Sequence, residues 1–592
     1  MDSLQSDTWW DSDEYRAHRI LQALSNFCTS VSHGIISGRI ILGSLYERYK
    51  RMEPCIHSYC AEERRVDINA LMCALQRLPY EISRARYFYI QNKPENLGSV
   101  EGIKLVESGS KGTRVRTIYE MGGGFFKCIA LEGRTDVFDI ITSFIMYGIE
   151  SGKIKKLLAG SSMLGEIESL RTNKESPVKN QILARLAGKL SVEYEELRRL
   201  DDFLRFGLFD LISNIMQNDL DTLEIEFASE FAETNYSIKA RLWRQHLEKY
   251  GQVHPSRPVI IISSDLYNVV SCLTDFAGIC KERVRNMARA HSKLAELSEL
   301  DLDDPGNLHY ALYRLCQMDP DLFKEKLEYE ESFGIRYIPD IHNTGIDVQV
   351  IDTFRLDPAK IDKRIELEDW SEVRERAPYI INIHYAFGLQ ATEIMRELID
   401  AFSKRIESIS IIGKAGIVCG ERFDIMLPTY LIPQEIETGV HDFPNGNQLT
   451  KSDFAGLVKS QVHTGGPMLT VPGIAIQNEI VLRYLMRKYN IEGLEMEGVP
   501  YLRVVRRAEK IGLLCKDLLF CIGYWGSDNP LRPHELIAQS HMGSGAVSSS
   551  ALTVAVLNKT LNKGRACYGE ERPSHAADGK GEEEAFGIGV AG

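Results

Sequence analysis

The sequence contains no run of about 18 consecutive apolar residues, the length that a membrane-spanning helix needs. It has no excess of positive charge either, because 70 Lys and Arg stand against 83 Asp and Glu, for a formal net charge of −13. An acidic chain lacks the long-range attraction to phosphate backbones that most nucleic-acid-binding proteins use. These absences exclude a membrane-spanning or typical nucleic-acid-binding protein and favour a small-molecule or protein partner.

The chain also lacks two marks of a secreted protein. Its N-terminus is acidic and contains two Trp, whereas a secretion signal has a basic segment followed by an apolar one. Its 12 Cys are spread over 592 residues without the tight spacing of a disulfide framework. Cys55, His57, Cys60 and Cys73 lack the spacing of a zinc knuckle and are followed by no second pair, so no metal site is predicted. We therefore expect reduced thiols and a cytoplasmic location.

The residues that are present indicate an ordinary globular protein, with 44% hydrophobic and 26% charged residues. Residues 1–250 are predicted to form a mainly α-helical domain of unknown function, because apolar residues recur at helical spacing, for example over 136–149 and 197–216. Residues 251–375 are interpreted as a connecting region that could supply the first strands of a following fold. Residues 563–592 have little to bury and are expected to be a disordered tail.

From about residue 376 short apolar runs alternate with helical patterns, which predicts an α/β fold around a largely parallel sheet. In such sheets ligands bind where loops leave the carboxyl ends of the strands. The predicted strands are Tyr379–Ile383, Ile409–Ile412, Ile425–Leu427, Gly493–Met496 and Leu518–Gly523, and the predicted helices are 389–403, 475–489 and 499–511.

Acidic residues follow two of these strands. Glu495 and Glu497 lie two residues apart, so on an extended strand they point to the same face, and Ser527 and Asp528 follow the last strand. Each carboxylate taken alone is better explained as a helix cap. Two such pairs in one predicted domain favour a binding or catalytic site.

Five short segments over 376–562 resemble, in order, motifs of the nucleoside phosphorylase and nucleosidase superfamily. This superfamily includes purine and uridine phosphorylases, methylthioadenosine nucleosidases and AMP nucleosidases. The segments are Gly388-Leu389-Gln390-Ala391, Ile412-Gly413-Lys414-Ala415-Gly416, Asp424-Ile425-Met426-Leu427-Pro428-Thr429, Glu495-Met496-Glu497 and Ser527-Asp528. The resemblance implies an α/β/α sandwich with a mixed sheet over 376–562, preceded by the mainly α-helical region.

The resemblance also implies a reaction, cleavage of the N-glycosidic bond of a purine nucleoside or nucleotide. In that reaction Glu497 would hold the ribose hydroxyls and Asp528 would act as general acid on the departing base. Met496, Glu495, Gly413, Lys414 and Ser527 would contribute to substrate binding. The family uses no metal or cofactor, with phosphate as a possible co-substrate, and a homo-oligomer is expected.

The nucleophile stays open at this point. Ile411 stands where phosphorylases of the family commonly have Arg, which favours water and hence hydrolysis. Lys414 stands where they have Ser or Thr, and it could bind phosphate or simply extend from a strand end into solvent. Phosphorolysis is therefore an alternative, as is a non-catalytic nucleotide-binding or signalling module. The family's first strand is not evident, with Pro258–Ser263 and Arg336–Ile341 as the candidates for it.

Overall fold

The computed structural model describes residues 13–91, 97, 100–106, 116–130, 133–172, 178–204, 207–231, 233–290, 297–433, 443–444, 446–471, 473, 477–515, 517–532 and 545–562. The tail predicted at 563–592 lies outside the described residues. Within the described segments, no helix has the length and apolar character that crossing a bilayer demands.

The N-terminal part combines helices with a six-stranded sheet, which the sequence patterns did not predict. Its helices are α1 (Asp13–Ser37), α2 (Tyr46–Lys50), α3 (Ile68–Leu75), α4 (Gly133–Leu158), α5 (Met163–Thr172), α6 (Lys179–Leu190), α7 (Tyr194–Phe203), α8 (Leu208–Gln217) and α9 (Glu233–Gly251). Its strands are β1 (Arg39–Ile41), β2 (Tyr87–Gln91), β3 (Lys104–Val106), β4 (Thr117–Gly122), β5 (Phe125–Ile129) and β6 (Glu224–Phe227), in the order β1-β6-β2-β5-β4-β3. The stretch 197–216, predicted as one helix, divides into α7 and α8.

The C-terminal part is built on a twelve-stranded sheet. Its strands are β7 (Val259–Ser263), β8 (Ile335–Ile338), β9 (Val348–Asp352), β10 (Tyr379–Ile383), β11 (Ile406–Ile417), β12 (Ile425–Leu427), β13 (Tyr430–Pro433), β14 (Phe443–Pro444), β15 (Val462–Thr464), β16 (Pro467–Thr470), β17 (Gly493–Glu495) and β18 (Leu519–Asp528). The helices are α10 (Leu266–Leu273), α11 (Phe276–Ile279), α12 (Lys281–Ala290), α13 (Pro305–Cys316), α14 (Pro320–Ser332), α15 (Trp370–Arg376), α16 (Gly388–Phe402), α17 (Glu479–Tyr489), α18 (Gly498–Lys510) and α19 (Gly545–Leu561). Short 3₁₀ turns lie at Leu42–Leu45, Cys55–His57, Tyr80–Arg84, Ser229–Phe231, Thr353–Arg355, Ser403–Arg405 and Lys451–Phe454.

The sheet contains parallel and antiparallel pairs, so the expected mixed α/β class is confirmed. Its main path runs β14-β13-β16-β17-β11-β7-β10-β9-β8, and β18 pairs with both β11 and β12. β7, formed by the run that includes Val259–Ser263, is parallel to both neighbours, β10 and β11. The sheet thus draws β7, β8 and β9 from before residue 376, whereas the proposed domain boundaries themselves stay a prediction.

The sheet lies between two layers of helices because alternate residues of its strands enter two separate cores. Ile261 and Ile409 pack with side chains of α9, α16 and α18 on one face. Ile260 and Ile412 pack with side chains of α10 and α19 on the other. Both faces of the central strands are therefore buried, which explains their nearly continuous apolar sequence.

Candidate functional site

The site is organised by β11, which is long enough to pair with strands on both sides. Its first half, Ile406–Ile411, pairs with β7, and Ser408–Gly416 pairs with β18 on the other edge, both in parallel. At its carboxyl end Gly416 also pairs with Leu494 of the antiparallel β17. The ends of β7, β11, β17 and β18 therefore meet, and their side chains Asp265, Lys414, Glu495, Glu497, Ser527 and Asp528 form what we call the candidate site.

A β-bulge sets the position of Ser527 and Asp528. Ala415 pairs with Gly526 and Gly416 pairs with Asp528, so Ser527 is the extra residue on β18. A bulge re-aims the side chains beside it, and bulges are common next to active sites. The Ser527 hydroxyl lies 2.6 Å from Oδ1 of Asp528 and 3.1 Å from the Ala415 carbonyl oxygen.

Asp528 is able to hold a proton near neutral pH. Its side chain is buried, and burial raises the pKa of its carboxyl to about 6, against the lowering effects of Ser527, Lys414 and Arg422. Arg422 is held beside it by a 3.0 Å hydrogen bond from Nε to the Ser527 carbonyl. A buried carboxyl with a pKa near the working pH is suited to general acid catalysis.

Glu495 is enclosed by donors of the protein itself. Oε1 accepts a hydrogen bond from the Thr470 hydroxyl, and Oε2 accepts from the backbone N–H groups of Glu497 at 2.7 Å and Gly498 at 2.5 Å. Tyr524 donates its hydroxyl to Oε2 as well, at 3.2 Å. These contacts place Glu495 as the group that fixes the start of α18, while its predicted contact with substrate stays a prediction.

Glu497 packs against the glycine of β11. A Cβ on Gly413 would lie 2.6 Å from Oε1 of Glu497 and 2.7 Å from the Tyr524 ring, so a larger residue there would force these side chains to move. Oε2 accepts a 3.1 Å hydrogen bond from the Met496 N–H. Burial raises the pKa of Glu497 well above its usual range, the nearby Glu495 raises it further, and Lys414 opposes both. Met496 itself is partly buried beside this carboxyl.

Lys414 lies among acids. It is partly buried, and its positive charge lowers the pKa of Asp265, Glu497 and Asp528 alike. The structure thus brings together Gly413, Lys414, Glu497 and Asp528, and their predicted roles in substrate binding and catalysis stay predictions. Lys414 lies close to three carboxyl groups, and a second cation, Arg422, lies near Asp528.

Asp265, at the end of β7, is a site residue that the sequence analysis missed. Tyr385 donates its hydroxyl to Oδ2 of Asp265 at 3.2 Å, and the nearby His384 and Lys414 lower its pKa while burial raises it. The sequence does contain a signal for it. Three polar residues, Ser263 to Asp265, follow the apolar run of β7, just as acidic residues follow the apolar runs of β17 and β18.

Other side chains considered from the sequence have different partners. Arg532, a candidate anion ligand, forms an ion pair with the Glu421 carboxylate at 2.7 Å. His57 lies 2.6 Å from the Glu150 carboxylate in the N-terminal core. Among the described residues, no group of three or more His, Cys, Asp or Glu side chains is arranged to hold a metal ion.

Comparison with solved structures finds nucleosidases at low similarity. A mutant of the Helicobacter pylori MTAN with 5'-methylthioadenosine in its active site is 12% identical, with a TM-score of 0.28, over 52% of this chain and 98% of that one. A 5'-methylthioadenosine/S-adenosylhomocysteine nucleosidase from Colwellia psychrerythraea in complex with adenine is 12% identical, with a TM-score of 0.30, over 52% and 99% of the two chains. A futalosine hydrolase mutant of Helicobacter pylori is 12% identical, with a TM-score of 0.28, over 52% and 98%. At these values the likeness establishes no function.

No curated protein matches the chain in sequence. One family model does match, and it spans both the N-terminal and the C-terminal sheet. It covers residues 42–562 and is described as a family of unknown function, DUF6909. The chain belongs to the DUF6909 family.

Proposed function

We propose that the protein hydrolyses the N-glycosidic bond of a purine nucleoside. The observation that carries this proposal is that two buried acids, Glu497 after β17 and Asp528 on β18, both lie close to Lys414 of β11. Asp528 is buried beside Ser527 with a pKa raised to about 6, and Glu497 is buried against Gly413. The resemblance to nucleosidases supplies the substrate class.

The proposed chemistry uses each acid differently. The bond between C1' of the ribose and the ring nitrogen breaks, its electron pair leaves with the base, and the Asp528 carboxyl gives its proton to that base. Glu497 holds the ribose hydroxyls, and the surrounding carboxylates stabilise the positive charge that develops on the sugar. Water adds to C1' and passes its proton to Asp265, so atoms and charges balance.

Charge favours water over phosphate as the nucleophile. Lys414 already faces Asp265, Glu497 and Asp528, so its positive charge is shared among three carboxyls. A phosphate dianion would be repelled by each of these carboxyls that is ionised, by about 4 kcal/mol for two unit charges 4 Å apart at an effective dielectric constant of about 20. The same argument favours a nucleoside over a nucleotide.

As proposed, the reaction uses no metal and no cofactor, and phosphate would enter only in phosphorolysis. Assembly into a homo-oligomer and a cytoplasmic location stay predictions from the sequence.

The test is incubation of the full chain with a panel of nucleosides and nucleotides, with and without phosphate, followed by chromatography of the free base. We expect base release from a purine nucleoside at the same rate in both conditions. Release that requires phosphate would change the assignment to phosphorolysis, and no release from any compound would contradict catalysis altogether.

A second candidate function is recognition of a nucleoside without cleavage, and Lys414 is the observation that favours it. An ammonium group close to Glu497 and Asp528 works against the positive charge that the sugar develops during cleavage. Calorimetry separates the two functions, because tight binding without any released base supports recognition alone.

A further inference from the structure

We infer that Asn478 is a positioning residue, through which the N-terminal part of the chain holds Glu495 and Glu497 in place. The inference rests on the proposed function for its catalytic consequence, and its structural consequence is measured separately below. Asn478 lies outside the candidate site, at the start of α17.

The buried side chain of Asn478 joins two parts of the molecule. Its Oδ1 accepts a hydrogen bond from the N–H of Val481 at 2.9 Å and so caps α17. Its Nδ2 donates to the carbonyl oxygens of Met52 at 3.1 Å and Glu53 at 2.6 Å. The side chain therefore satisfies one donor of the C-terminal part and two acceptors of the N-terminal part.

The N-terminal segment is shaped to meet Asn478. Glu53 adopts a left-handed backbone conformation with φ of 47°, which is uncommon for a residue other than glycine. Beside it, the N–H of Cys55 donates to the Gln477 carbonyl at 2.6 Å. Strained backbone persists where surrounding contacts over-determine it, and three hydrogen bonds hold this turn against 477–478.

The end of β16 is hydrogen-bonded to the acids of the site. The segment that leads from β16 to α17 begins with Val471, whose N–H donates to the Glu495 carbonyl at 2.7 Å. The preceding Thr470 donates its hydroxyl to the Glu495 carboxylate, which in turn accepts the N–H of Glu497 at 2.7 Å. The described link from Asn478 to these acids is α17 itself, because Leu482 of this helix is buried in one cluster with Leu494, the residue before Glu495.

Apolar packing follows the same route. Ala17 and Ile20 of α1 are buried in one cluster with Val471, Leu482 and Leu494, and Met496 packs against that cluster. The N-terminal helix α1 therefore packs against β16 and α17, the elements that precede and follow residues 471–478. Asp528 lies off this route, because it is part of β18, which pairs with the other edge of β11.

The variant Asn478→Asp separates capping from the link between the two parts. A carboxylate still accepts from Val481, but it cannot donate to Met52 and Glu53, and it repels their carbonyl oxygens. Asp319→Asn is the matched control, because Asp319 caps α14 through the N–H groups of Asp321 and Leu322, away from the site.

The first measurement is amide hydrogen exchange of the full chain by mass spectrometry. Asn478→Asp is expected to raise exchange over 495–500 by about tenfold or more, since local opening governs exchange. Asp319→Asn is expected to leave these amides unchanged. Unchanged exchange over 495–500 in Asn478→Asp overturns the inference, whether or not the protein is an enzyme.

The second measurement compares a ribonucleoside with its 2'-deoxy analogue, which lacks a hydroxyl for Glu497 to hold. A small displacement of Glu497 is expected to lower kcat/KM for the ribonucleoside by about tenfold and for the deoxy compound by much less. An equal loss for both substrates would mean a general structural effect and would overturn the inference. Absence of turnover in the unaltered chain would count against the proposed function only, because the exchange experiment still decides the role of Asn478.

Discussion

The two acidic strand ends of the candidate site differ in what surrounds their carboxyl groups. At the end of β17, Glu495 accepts hydrogen bonds from two hydroxyls and two backbone N–H groups. At the end of β18, Asp528 has one hydroxyl partner, Ser527, and two nearby cations, Lys414 and Arg422. The hydrogen bonds around Glu495 hold its carboxylate in a fixed position. The Asp528 carboxyl has fewer hydrogen bonds within the described protein, so it can form further ones with a ligand. Burial alone therefore does not distinguish a positioning acid from a reacting one.

The largest expected effect is on catalysis at the β18 end. Asp528→Asn removes the transferable proton and keeps the shape, so turnover should fall by about 2–4 orders of magnitude. The check is kcat for the best substrate, with the unfolding temperature as the control for correct folding. A rate near that of the unaltered chain would remove Asp528 from the role of general acid.

At the β17 end the expected effect is on stability. Glu495→Ala leaves the hydroxyls of Thr470 and Tyr524 and two backbone N–H groups without their acceptor. Leaving such buried donors unpaired should lower the free energy of unfolding by about 2 kcal/mol or more. Urea denaturation measures this, and the comparison between the ends would fail if Asp528→Asn cost as much stability as Glu495→Ala.

A smaller effect is expected where Glu497 meets β11. In Gly413→Ala the added methyl group would lie 2.6 Å from Oε1 of Glu497, so the carboxyl must move. We expect kcat/KM to fall by about tenfold or more, because misplacement of a binding group weakens transition-state contacts. The control is Gly278→Ala, where an added Cβ meets nothing within 4 Å. Equal kinetics in the two variants would contradict the packing argument.

A remaining effect is the pH dependence of stability. Burial raises the pKa of Asp528 to about 6 in the folded chain, from the 3.8 that is usual for an aspartate, so between these values the folded state binds more protons than the unfolded state. The contribution of this group to stability is therefore fully present below about pH 4 and is lost as pH rises to about 6, by at most about 3 kcal/mol. Asp528→Asn should flatten this part of the pH profile, as measured by urea denaturation at pH 4, 5, 6 and 7. An unchanged profile would place the titration elsewhere.

Five strands of the C-terminal sheet were predicted from the sequence because they are apolar runs bounded by polar residues, whereas β9, β13, β14, β15 and β16 were not predicted. Tyr379–Ile383 coincides with β10, and Ile425–Leu427 coincides with β12. Their ends were predicted less well, since β18 continues through Gly526 to Asp528, where apolar character is absent but pairing with β11 persists.

The N-terminal sheet was not predicted because, apart from the β4–β5 hairpin and its neighbour β3, its pairing is non-local. β2 pairs in parallel with β6, with Tyr87 opposite Glu224, and the helices α4 to α8 lie between them in sequence. A strand of four or five residues has too few positions to show a period, and its partner cannot be identified from local pattern. Asp265 was missed for the same reason, since its role depends on β7 lying next to β11.

The position of β18 has a consequence for how the protein must be made. This strand lies inside the sheet, between β11 and β12, although it is the last in sequence of the strands within the described residues. Until residues 519–528 leave the ribosome, β11 has one long apolar edge without a partner, and the acid of β18 is missing from the site. A prematurely terminated chain would therefore expose the unpaired backbone N–H and C=O groups of β11, which can pair with strands of other chains. It should accumulate as aggregates rather than as an inactive monomer.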